Sequence, residues 1–101
     1  MGFSLLIARF KDYMRAKDFS QRTIKDYGLQ LNFFTRCLDS CSITQLKDIT
    51  REVIARYQLS LLSQDKPLSL ETQFARLVPV KSFFRYLTKT NQLLYDPASD
   101  L

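Results

Sequence analysis

The chain of 101 residues has no histidine, no tryptophan, two cysteines, two glycines and three prolines. Each shortage excludes something. Without histidine, the commonest general base and the commonest metal ligand are gone. Cys37 and Cys41, a C-x3-C pair, cannot alone complete a four-ligand zinc site, so no metal or other cofactor is expected. Scarce Gly and Pro beside plentiful Leu, Phe, Lys, Arg and Gln argue against a turn-rich sandwich and for helices joined by short loops. No apolar run approaches the roughly 20 residues that span a bilayer. The opening MGFSLLIARF has neither a basic lead nor a small-residue cleavage site. A cytoplasmic protein with reduced thiols and no membrane partner is expected. No internal repeat of about 20–50 residues occurs, which excludes a solenoid.

What is present suits one domain. With 46% hydrophobic residues, a chain of this size can bury roughly two thirds of its unfolded surface. Its net charge of +5 is unevenly spread. Residues 1–38 carry +4 and residues 69–89 carry +3, residues 39–68 are neutral, and residues 90–101 carry −2. Two separated cationic stretches are what a polyanion-binding protein needs, although a solvated surface would also accept them.

Apolar spacing predicts four helices. The first spans about Ser4 to Lys17, with Phe3, Leu6, Ile7, Phe10 and Met14 on one side and Arg9, Asp12 and Arg15 turned outward. Ser20 can cap a second helix to Leu38, lined by Ile24, Tyr27, Leu31, Phe34 and Leu38. Gly28 costs that helix about 1 kcal/mol relative to Ala, so either close packing or close approach of a ligand must explain it. Ile43, Leu46 and Ile49 read as anchors of a short connection. Thr50 can cap a third helix, Arg51 to Ser63, with Val53, Ile54, Tyr57, Leu61 and Leu62 inward. The loop QDKPL follows. Ser69 can cap a fourth helix to about Lys89, lined by Leu70, Phe74, Leu77, Val80, Phe84 and Leu87 and kinked or restarted at Pro79. Asn91 would stop it.

Four helices define no function by themselves. The order of local patterns is more specific: F-x-x-Y-M, then SQRTIKDYGLQLNFF, LKDITREVIARYQLSL, SLETQFARLVPVKSFFRYL and DPASDL. This series resembles the SAM-like core-binding domain of tyrosine recombinases and integrases, the group that includes the Xer, Cre and lambda-type enzymes. The resemblance covers nearly the whole chain. It implies an all-α orthogonal bundle in residues 1–95, with residues 96–101 beginning a linker to a catalytic domain of the same parent chain. It also implies one jaw of a DNA clamp, in which the second and fourth helices lie along duplex DNA. Pro79, where the family favours a small helix-forming residue, and Asp96, where Asn is commoner, depart from the pattern.

The residues agree with that expectation. Ser20, Gln21, Arg22, Thr23 and Lys25 gather donors and cations at the start of the second helix, where free backbone N–H groups and the helix dipole favour phosphate. Ser20 and Thr23 match family positions that bond phosphate, and Ser20 could equally be a plain N-cap. Ser69, Thr72, Gln73, Arg76 and Lys81 repeat the logic on the fourth helix, on a face that could enter a major groove. Thr72, Arg76 and Lys81 carry over from the family pattern, and Arg85 fits a frequent basic position. Family catalysis uses a nucleophilic tyrosine with arginines, a lysine and histidine or tryptophan. None of Tyr13, Tyr27, Tyr57, Tyr86 or Tyr95 has that company here, so no catalytic residue is expected within the chain. The expected partners are double-stranded DNA, the catalytic domain and other recombinase protomers on DNA. A helical protein–protein adaptor is the competing reading.

Overall fold

Four helices make up most of the chain in the computed structural model, which describes residues 2–62 and 68–101. They are α1 (Gly2–Ala16), α2 (Gln21–Ser40), α3 (Arg51–Leu62) and α4 (Leu70–Lys89), with a 3-10 turn at Leu46–Asp48 between α2 and α3. No strand occurs among the described residues, and the fold is all-α as expected. Ser63 and residues 64–67 of the QDKPL loop lie outside the described residues. No helix among the described residues is long and apolar enough to cross a membrane.

The helix starts follow from local chemistry. The Ser20 hydroxyl accepts the Thr23 N–H at 3.1 Å, Thr50 accepts that of Val53 at 3.4 Å, and Ser69 accepts that of Thr72 at 3.2 Å. Each contact satisfies a backbone donor that the first turn would otherwise leave orphaned. Three helix ends share one device. Asp18, Ser42 and Asn91 adopt left-handed backbone, with φ of 62°, 60° and 62°. The next residue's N–H then reaches back to the last full turn: Phe19 to the Met14 carbonyl, Ile43 to Leu38 and Gln92 to Leu87, at 3.0, 2.9 and 2.9 Å. This is the Schellman closure, made here without glycine.

Helix α2 is central, packing against both α1 and α4. Its Leu31, Phe34 and Leu38 meet Phe10 and Met14 of α1 and Val80, Phe83, Phe84 and Leu87 of α4 in one buried cluster. Rings carry much of the contact. Phe34 lies edge-on to Tyr57 and Phe84 at 5.0 and 5.9 Å, and Phe10 meets Phe83 and Tyr86 at 5.5 and 5.2 Å. Such pairs add about 0.5–1.5 kcal/mol each beyond area burial.

Two core expectations fail. Leu70 and Phe74 are 68% and 60% exposed, and Leu62 is 49% exposed, so none of them lines the core. Helix α4 carries two apolar stripes, and the buried one is Leu77, Val80, Phe83, Phe84 and Leu87. Leu70, Phe74 and Val78, four residues apart, form the exposed one. Nor does α4 restart at Pro79: the helix continues through it. The proline ring is fully buried, and the carbonyl it leaves unpaired belongs to exposed Ala75, where water can satisfy it.

The segment expected to begin a linker is folded onto the body. The Asp96 carboxylate accepts the Ala98 N–H at 2.8 Å, and Pro97 and Ala98 are buried. The Lys81 ammonium donates to the Leu101 main-chain oxygen at 2.9 Å. Arg51 pairs with Asp100 at 3.4 Å and lies over the Tyr95 ring at 5.6 Å.

Candidate nucleic-acid interface

The first turn of α2 has the composition of an anion site. Ser20 caps it, and the Ser20 hydroxyl also donates to the Thr23 hydroxyl at 2.9 Å. Both functions of Ser20 are thus used within the cap, which is the simpler of its two expected roles, while the Thr23 hydroxyl proton remains to be given. Gln21, Arg22 and Lys25 are exposed beside it. The N–H groups of the first turn not taken by Ser20 point along the same end of the helix.

Helix α1 adds a cation that spacing alone does not reveal. Gly28 is buried, and a Cβ placed there would fall 2.5 Å from Lys11 Cε and 2.8 Å from Lys11 Nζ. Of the two explanations for this glycine, close packing is the one observed, and the group packed is a lysine side chain. The missing side chain lets Lys11 lie across α2. Two shallow grooves meet at Lys11 and Lys25. One also includes Arg22, Asp26, Gly28, Leu29 and Asn32, the other Arg15, Gln21 and Ile24. Arg15 is tied to Asp12 at 2.6 Å, an exposed pair that contributes little to stability. Lys11, Arg22 and Lys25 have no carboxylate partner among the described residues.

The residues expected on α4 divide. Ser69 repeats the α2 cap closely, with its hydroxyl 2.9 Å from that of Thr72. Thr72, Gln73 and Arg76 are only half-exposed, because they share the azimuth of the buried stripe. Gln73 donates its side-chain amide to the Leu68 carbonyl at 3.0 Å. The Arg76 guanidinium lies 5.0 Å from the centre of the Phe33 ring and is thereby carried to α2. Lys81 is directed away, to the Leu101 oxygen. Ser20, Gln21, Arg22, Thr23 and Lys25 are therefore brought together, Arg76 joins the far half of the same helix, and Lys81 does not join either group.

Charge placement at the helix starts differs in a telling way. Helices α3 and α4 hold Glu52 and Glu71 in their first turns, which complement the helix dipole. Helix α2 has no acid there and carries Arg22 instead. A cation at that end costs about 0.3–1 kcal/mol. At the far end of α2, against Phe34, Tyr57 is buried with no hydrogen-bond partner for its hydroxyl among the described residues. Burial pushes its pKa up, the positive charge of Arg76 opposes that, and Cys37 adds to it. Burial also raises the Cys37 thiol, with Cys41 adding to the rise. No group of three or more Cys, Asp or Glu among the described residues could hold a metal ion.

Comparison with known proteins agrees with the all-α fold. Residues 7–91 match the family model of the phage integrase N-terminal SAM-like domain. A curated relative, tyrosine recombinase XerC 2 of Ralstonia nicotianae, is 34% identical over 87 residues, a match covering 82% of this chain. The matched region is 25% of that relative, so the chain spans about a quarter of its length. No solved structure matches. With most of its length matched on both counts, the chain belongs to the phage integrase N-terminal SAM-like domain family found in tyrosine recombinases.

Proposed function

We propose that this domain is one jaw of a DNA clamp in a site-specific tyrosine recombinase, gripping duplex phosphates so that a catalytic domain of the parent protein can cleave and rejoin strands. Helix α2 supplies most of the grip through Gln21, Arg22, Thr23 and Lys25, with Ser20 shaping the turn and Lys11 extending the charge. Helix α4 contributes Arg76, and Ser69, Thr72 and Gln73 border the groove side. The observation that carries the reading is the first turn of α2, which holds Arg22 against the helix dipole and no acid of its own, Asp26 standing one turn further on. A bound phosphate relieves both the cation and the orphaned N–H groups. Local conflicts of this kind are expected at functional sites. The parent protein would act in the cytoplasm, with further protomers on the same DNA.

The test is a duplex titration across salt concentration. With roughly three to five phosphates neutralised, log affinity should fall against log salt with a slope of about −3 to −4.5. Binding should show little sequence preference, since phosphate contacts carry no base information. The exposed stripe of Leu70, Phe74 and Val78 favours a second reading, an adaptor surface for another protein. Affinity indifferent to salt, or no binding at low salt, would select that reading instead.

A further inference from the structure

The outward face of α2 continues past the residues already assigned. Helical spacing places Arg22, Lys25, Leu29, Phe33 and Arg36 on one side, opposite buried Ile24, Leu31, Phe34 and Leu38. From Arg22 to Arg36 this face runs about 21 Å at 1.5 Å per residue. At its far end, Phe33 is half-exposed and holds two guanidinium groups against its ring. Arg36 lies 5.8 Å from the ring centre and Arg76 lies 5.0 Å from it, so their guanidinium carbons are no more than about 11 Å apart, the sum of those distances. Neither arginine has a carboxylate partner among the described residues.

We propose that Arg36 and Arg76, organised by Phe33, form a two-guanidinium receptor for the DNA backbone, a second phosphate-binding point about four helical turns from the first. The proposal rests on the DNA-binding reading above. A guanidinium stacked on a ring keeps its edge N–H donors free and loses less freedom when it bonds an oxyanion. Two like charges gathered on one aromatic side chain repel each other unless an anion joins them. Contact with the Phe33 ring ties both groups to this face of α2, which suits a phosphate passing over the protein better than a single side chain reaching into the groove for a base edge. Phe33 is then a positioning residue, and Arg36 a phosphate contact that no acidic partner competes for.

The test measures duplex affinity against salt for the wild-type chain and for Arg36→Ala, Arg36→Lys, Phe33→Leu and Arg22→Ala. Arg36→Ala should reduce the magnitude of the salt slope by about 0.9, the value for one phosphate contact. Phe33→Leu removes no charge, yet it should weaken binding about two- to fivefold through loss of the cation–π platform. Arg36→Lys should fall between wild type and Arg36→Ala. Circular dichroism and melting temperature check that Phe33→Leu remains folded, and exposed Arg36 keeps the proposal testable whatever Phe33→Leu does. If Arg36→Ala matches wild type in affinity and slope while Arg22→Ala loses a contact, the receptor is wrong and the clamp reading stands. A loss by Arg36→Ala confined to one duplex sequence would also overturn it, by making Arg36 a base reader. If wild type and all variants fail to bind at low salt, the clamp reading itself falls.

Discussion

Asp18, Ser42 and Asn91 close three helices in a backbone region that L-residues enter at a cost of about 1–2 kcal/mol. Asp and Asn offset part of this with short polar side chains suited to that region, whereas Ser is less at home there. Ser42→Gly should therefore raise stability by about 0.5–1 kcal/mol, allowing for the greater freedom glycine has when unfolded. Asn91→Gly should gain less. Urea unfolding of both variants checks the order, and an equal or destabilising effect at Ser42 would mean that its side chain supports the turn. Protonation gives a second residue-scale test. Tyr57 and Cys37 both hold their protons more tightly folded than at the ordinary values of 10.0 and 9.0. The folded chain thus binds more protons than the unfolded chain above about pH 9, and stability must fall as pH rises through that range. Below pH 9 these groups should leave stability unchanged. Tyr57→Phe should flatten the part of the loss that sets in above about pH 10 without lowering the melting point at pH 7, because its hydroxyl has no partner to lose among the described residues. An unaltered alkaline decline in Tyr57→Phe would remove Tyr57 as its source.

Helix α2 gives up helix propensity at Gly28, where the cost can be measured. Gly28→Ala should recover up to about 1 kcal/mol of propensity. The new methyl group would meet only the flexible end of Lys11, which can swing aside. The variant should melt higher, yet bind duplex less tightly, because the displaced ammonium leaves the cluster with Arg22 and Lys25. A variant that melts lower would show that Lys11 cannot move; one that binds as well as wild type would show that Lys11 is not a contact. The helices themselves were largely legible from sequence, since Ser20, Thr50 and Ser69 announce their starts through local hydrogen bonds and Asn91 marks an end. The rotation of α4 was not. Leu70, Phe74 and Val78 repeat as regularly as the stripe that is buried, and periodicity cannot say which of two stripes meets α2. The same rotation decides how Thr72, Gln73 and Arg76 face. Lys11 over Gly28 and Arg76 on Phe33 are contacts between helices, and only the unexplained glycine hinted at the first.

Over the whole molecule, the clamp reading requires that the position of a cation matter more than its charge. Arg22, Lys25, Lys47 and Arg56 are all exposed, so removing any of them should change stability by less than about 0.5 kcal/mol. They differ in neighbourhood. Arg22 and Lys25 line the α2 grooves with Lys11. Lys47 lies in the 3-10 turn and Arg56 lies on α3, both in the charge-neutral middle of the chain. Each substitution lowers the net charge by one and weakens long-range attraction to DNA alike, but only a lost phosphate contact changes the number of counterions released. Arg22→Ala and Lys25→Ala should each reduce the magnitude of the salt slope by about 0.9, whereas Lys47→Ala and Arg56→Ala should leave the slope in place. Arg76→Ala should behave like the first pair, with its melting temperature recorded because it also gives up the Phe33 stack. If all five variants shift affinity and slope equally, DNA is held by diffuse charge with no preferred face, and α2 has no special claim to it.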